Sequence, residues 1–189
     1  MAFSQPMADG THRVNVIQGQ HYVDGNPATV LTTILGSCVA ACLWDPIANV
    51  GGMNHFLLPG DSSNKKASSG TDAQRYGVNL MELLLNDLFR HGAIKSRLKA
   101  KLFGGAAIIK GLTDIGAMNA TFAEGFLREE GIEVVGGSVG GVYGRRLQFW
   151  PVGGRARQAF MASETESIIR EETTRAPVVQ KTAGQVELF

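Results

Sequence analysis

The chain has 189 residues, 44% hydrophobic and 19% charged, which is enough for one domain with a sizeable core. Net charge is +1 with acids and bases interspersed, and no basic block or aromatic series points to nucleic acid. No apolar run reaches membrane-spanning length, the start MAFSQPMADG lacks a signal-peptide pattern, and two cysteines make a poor zinc site, so a cytoplasmic protein with reduced thiols is expected.

Residues 1–11 read as a mobile amino-terminal arm, 12–162 as the single domain, and 163–189 as a carboxy-terminal extension. His12 to Gly19 alternates enough for a strand, and Asp24-Gly25-Asn26-Pro27 is a turn signal within Gln20 to Ala28. Thr29–Leu35, Cys38–Trp44 and Val50–Leu58 read as strands, the last two joined by a turn at DPIAN. Gly60 to Thr71 is polar and small, a long loop of the kind that borders a site or binds a partner.

The period then changes. Tyr76, Leu80, Leu83, Leu84 and Leu88 fall at helical spacing, predicting a helix from Asp72 to His91 with Gly92 just past its end. Leu98 to Phe103 predicts a strand, Asn119 to Glu130 a second helix closed by Gly131, and Ile132–Val135, Arg146–Trp150 and Arg157–Met161 further strands. Ser163 and Glu166 form a capping-box pattern for a short helix ending near Thr174, with disorder after it. Paired glycines predict tight turns or close backbone approach, except Gly153-Gly154, which reads as a flexible loop. The fold class expected is α/β or α+β: a mixed sheet or sandwich covered by two main helices.

One stretch carries chemistry. Leu35 to Pro59 holds both cysteines and His55. With the four-residue loop Asp45-Pro46-Ile47-Ala48, Trp44 pairs with Asn49 and Cys38 lies opposite His55, at roughly 4.5–5.5 Å between Cβ atoms. An imidazole there can take the thiol proton and leave a nucleophilic thiolate. Gly36-Ser37 permits a sharp bend that can present N–H groups to an oxyanion, with Ser37 as a further donor or merely a turn former. Thr32, six residues before Cys38, shares its face in a continuous strand and could orient the imidazole through its hydroxyl. The same residues also fit a plain core, since free cysteines and strand histidines are often buried and inert. Cys42 reads as core, and cannot bridge Cys38 along one strand because an extended chain separates them by roughly 13 Å.

TTILGSCVAACLWDPIANVGGMNHFLLP, from Thr32 to Pro59, resembles the signature of the CheD family of bacterial chemoreceptor glutamine deamidases. Lys101-Leu-Phe-Gly-Gly-Ala106, Ile115-Gly-Ala-Met-Asn119 and Gly140-Gly-Val-Tyr-Gly-Arg145 are similar to its later segments, in the same order. Met118 stands where the family usually has Arg, and Ser138 where an acidic residue is common. The resemblance implies a fold similar to that of glutamine-deamidating toxins. It implies Cys38 as nucleophile, His55 as general base and acid, and Thr32 as the residue orienting His55. It implies hydrolysis of glutamine side chains in methyl-accepting chemotaxis receptors (a protein-glutamine glutaminase) without cofactor or metal, and a CheC-type phosphatase as a further partner. The alternatives are a non-catalytic regulator that binds receptors or CheC, and a receptor methylesterase using the same Cys and His.

Overall fold

The computed structural model describes residues 3–6, 10–58, 70–108 and 115–161. The chain runs β1 (Phe3–Pro6), β2 (His12–Asn15), β3 (Gln20–Asp24), β4 (Thr29–Leu35), β5 (Val39–Asp45), β6 (Val50–His55), α1 (Gly70–Arg90), a short 3-10 turn at Lys95–Arg97, β7 (Lys99–Gly104), α2 (Ile115–Glu129), β8 (Glu133–Val139), β9 (Gly144–Trp150) and β10 (Arg155–Met161). The expected loop of Gly60 to Thr71 lies almost wholly outside the described residues, as does everything after Met161.

The strands form two five-stranded sheets, ordered β1-β2-β4-β9-β10 and β3-β6-β5-β7-β8. The β2–β4 and β7–β8 pairs are parallel and the remaining pairs antiparallel. Leu31, Leu35, Leu147 and Phe149 of the first sheet pack against Ala40, Cys42, Trp44 and Met53 of the second, so the sheets lie face to face. Val39, Ala41 and Leu43 point the other way, onto Leu80, Leu84 and Leu88 of α1 and Ala123 and Leu127 of α2. Every residue of β5 and β6 is therefore buried, which is why both read as nearly continuous apolar runs rather than as alternating strands. The expected α+β sandwich with two main helices is the fold observed.

Four local expectations are corrected. Phe3–Pro6, inside the expected arm, pairs antiparallel with β2. Gln20–Asp24 is a strand, not part of the turn: only Val23 is buried, so its strand character comes from pairing with β6 rather than from its own pattern. Leu83 faces outward on α1, and Met81 and Leu85 fill the buried stripe with Leu80, Leu84 and Leu88. Gly154 is a close-approach glycine rather than a flexible one, since a Cβ there would lie 2.1 Å from the Trp44 ring.

The β5–β6 register also differs. Asp45 pairs with Val50, and Cys42 with Met53. The loop is Pro46 to Asn49, one residue later than expected. Asp45 closes it by accepting hydrogen bonds from the Ile47 and Ala48 N–H groups at 2.9 and 3.0 Å, and Asn49 takes the left-handed conformation at φ 53°. The loop length stays even, so every side chain keeps its expected face while its partner moves by two residues.

Candidate active site

Two corners of the chain meet at one end of the sandwich. Residues 17–19 carry the chain from β2 in the first sheet to β3 in the second, and residues 36–38 carry it from β4 to β5 in the same sense. His55 ends β6 beside both. The Gly19 N–H donates to the His55 carbonyl at 2.7 Å, and Cys38 Sγ contacts Gln18 Oε1 at 3.6 Å. Continuing the β5–β6 register through the Val39–Phe56 bridge places His55 opposite Ala40, so Cys38 is its diagonal neighbour on the same face rather than its direct partner. Diagonal positions lie roughly 7–8 Å apart at Cα and closer between side chains, within reach of a cysteine and an imidazole. Cys38 is only 1% exposed and His55 6%.

The hydroxyl that reaches His55 is that of Thr33, not Thr32. Thr33 Oγ1 lies 2.9 Å from His55 Nδ1, bridging the two sheets, and the Val16 carbonyl lies 3.4 Å from the same nitrogen. A carbonyl can only accept, so both contacts are satisfied when Nδ1 carries the proton; Nε2 is then the basic nitrogen. Thr32 donates to the Val14 carbonyl at 3.3 Å and faces a groove on the outer side of the first sheet, beside Arg13 and Arg146. The spacing argument assumed one continuous strand through Cys38. The bend at Gly36-Ser37 breaks that continuity, so parity counted back from Cys38 selects the wrong threonine.

Gly36 and Ser37 form the bend as expected, and their neighbours are held from below. Ala106 N–H donates to the Gly36 carbonyl at 2.8 Å and Gly105 N–H to the Cys38 carbonyl at 2.7 Å. Gly104 has φ 108°, and a Cβ on it would sit 2.1 Å from the Cys38 carbonyl oxygen. The KLFGGA segment is thus the support of the cysteine corner. Asn119, from the IGAMN segment on α2, accepts from the Leu58 N–H at 2.7 Å and donates to the Ile115 carbonyl at 2.7 Å, anchoring the chain just after His55.

The GGVYGR segment ends in buried Arg145. Its guanidinium donates to the Ser138 and Gly140 carbonyls and, at 3.1 Å, to the Ser138 hydroxyl, and its Cζ lies 5.4 Å from the Phe160 ring centre. Gly140 N–H in turn donates to the Gly104 carbonyl at 2.9 Å. Met118 is exposed on α2.

Gln18 and Tyr76 were not among the residues expected at the site. The Tyr76 hydroxyl lies 3.4 Å from where a Gly19 Cβ would be, and burial together with the negative charge that Cys38 can carry raises its pKa. The helical spacing marked Tyr76 only as a core position, and nothing local to the sequence links either residue to Cys38. Cys42 is buried as expected, and burial pushes its thiol far up, outweighing the opposite pull of Lys101. Among the described residues no three His, Cys, Asp or Glu side chains converge as metal ligands.

The arrangement is therefore an α+β sandwich with a thiol and an oriented imidazole on one face of its inner sheet, at a corner built by glycine-rich segments. The profile described as CheD chemotactic sensory transduction matches residues 57–159, beginning two positions beyond His55. A protein of Acidiphilium cryptum named "Probable chemoreceptor glutamine deamidase CheD" is 60% identical over 96% of this chain and 95% of its own length. Proteins of the same name from Rhizobium leguminosarum bv. trifolii and Agrobacterium fabrum are 52% and 50% identical over 97% of this chain and 100% and 99% of theirs. The chain belongs to the CheD family. Among solved structures, the hypothetical protein YfiH of Bacillus licheniformis is similar at TM-score 0.40 and 12% identity, over 62% of this chain and 49% of that one. No helix among the described residues is long and apolar enough to cross a membrane.

Proposed function

We propose that this chain is a protein-glutamine deamidase that hydrolyses glutamine side chains of methyl-accepting chemotaxis receptors to glutamate. The observation that carries the reading is the thiol of Cys38 on the same sheet face as an imidazole whose Nδ1 is already engaged by Thr33 and Val16. The names of relatives that align across the whole site support it.

His55 Nε2 takes the Cys38 proton, and the thiolate attacks the carboxamide carbon. The proton returns from the imidazolium to the departing ammonia, leaving a thioester, which water hydrolyses with His55 again as base. The Val16 carbonyl favours the required tautomer, and Thr33 holds the ring's orientation. N–H groups near the Gly36-Ser37 bend are the candidates to hold the oxyanion. A CheC-type phosphatase is the further partner this reading suggests.

Incubation with a purified receptor cytoplasmic fragment should raise the mass of specific glutamine peptides by about one dalton each, as an amide becomes an acid. Cys38→Ala and His55→Ala should abolish the gain. Deamidation by Cys38→Ala would remove the proposed nucleophile. Burial of both groups equally suits the regulator reading, which expects receptor binding undiminished in Cys38→Ala and no ammonia release from any variant.

A further inference from the structure

We propose that Gln18 is an internal stand-in for the substrate: its carboxamide caps the Cys38 thiol in the resting protein and must swing away before a receptor glutamine can be attacked. The inference rests on the deamidase reading and adds a gate to it. The group resting on the nucleophile, at 3.6 Å from Sγ to Oε1, is a primary carboxamide, the functional group that the proposed reaction consumes. Gln18 is half-buried, while Cys38 beside it is almost fully covered, so the carboxamide is the more accessible member of the pair.

The backbone beside Gln18 is held. Gly19 donates to the His55 carbonyl at 2.7 Å, and its φ of 80° is a conformation that a side chain would strain. Opening is thus a matter of side-chain rotation at Gln18, which gives up one weak thiol hydrogen bond. The contact is unproductive for Gln18 itself. The atom facing sulfur is the carbonyl oxygen, accepting from the thiol, whereas attack requires the sulfur above the carboxamide carbon.

The test uses the full chain with Gln18→Ala and Gln18→Met, the latter keeping length and bulk without the carboxamide. Iodoacetamide labelling of Cys38 at pH 7, read by peptide mass with buried Cys42 as the unreactive reference, should accelerate about fivefold in both variants. With a receptor fragment, KM should fall by a similar factor, and by more than kcat changes. Gln18→Glu should slow both reactions by placing a carboxylate beside the thiolate. Unchanged labelling and KM in Gln18→Ala, with normal deamidation, would overturn the gate alone. Conversion of Gln18 to Glu in the native chain but not in Cys38→Ala would overturn it too, because the contact would then be productive. Faster labelling with no deamidation by any variant would instead remove the deamidase reading.

Discussion

The Thr33 hydroxyl sits 2.9 Å from His55 Nδ1 and joins the outer sheet to the inner one at the point where the imidazole leaves its strand. Thr33 and His55 are both buried, so the ring is held by partners rather than by water. Replacing Thr33 by Val keeps the shape and removes one of the two groups on Nδ1. We expect kcat for receptor deamidation to fall on the order of tenfold to a hundredfold with little change in KM. Thr33→Ser should restore most of it, and Thr32→Val, on the far face, should leave kcat within about twofold. Steady-state kinetics on the three variants checks the assignment.

Asp45 sets a pH dependence of stability. Burial raises its carboxyl pKa, but the N–H groups of Ile94, Ala48 and Ile47 and the Arg97 guanidinium outweigh burial and lower it to about 2. A free aspartate titrates near 3.9. The folded value is depressed, so the stabilisation is complete above about pH 4 and is lost as pH falls through about 2. It amounts to about 2 kcal/mol. Asp45→Asn should lower unfolding free energy at pH 7 by about that much and flatten its decline between about pH 4 and 2. Urea titrations across that range read it.

Gly104 should tolerate no side chain. A Cβ would meet the Cys38 carbonyl at 2.1 Å, a backbone atom, from a φ of 108°. Gly104→Ala must therefore push the cysteine corner off its support or fail to fold. We expect a loss of more than about 2 kcal/mol and, in any folded fraction, deamidation depressed beyond what stability explains. Gly92→Ala, also at positive φ but facing open space, is the control for backbone strain alone.

Arg145 is buried with carbonyls and one hydroxyl for partners, and no carboxylate pairs with it among the described residues. Ser138→Asp brings a carboxylate to the position of the hydroxyl that the guanidinium already contacts. The added pairing should raise stability by about 1 kcal/mol, and the melting temperature by roughly 3 °C. A melting temperature lower than that of the native chain would show that the corner cannot accommodate the larger group.

How much was readable from the chain itself varied by element. α1 announces itself because its apolar residues recur at helical spacing, and β4, β5 and β6 because they are short apolar or β-branched runs bounded by turn signals. β1 and β3 do not, because each is held mainly by the edge it pairs with. The turn at Pro46 to Asn49 was legible as a turn, yet its starting residue depended on which N–H groups the Asp45 carboxylate would capture. Cys38 and His55 could be put on one face because loop parity survived that error. Thr33 could not be singled out because the bend at Gly36-Ser37 breaks the parity counted from Cys38, and Gln18 and Tyr76 because they approach from other segments.

From residue order alone came the composition class, the periodic elements, the glycine-rich segments and the candidate pair Cys38 and His55. These depend on local propensity and on alternation, which act over a few residues. Only the tertiary structure decided which threonine touches the imidazole, what supports the cysteine corner and what rests on the thiol. Those contacts arise where β2–β3 and β4–β5 cross between the sheets, and the relative placement of two crossings is set by packing across the whole sandwich rather than by either segment.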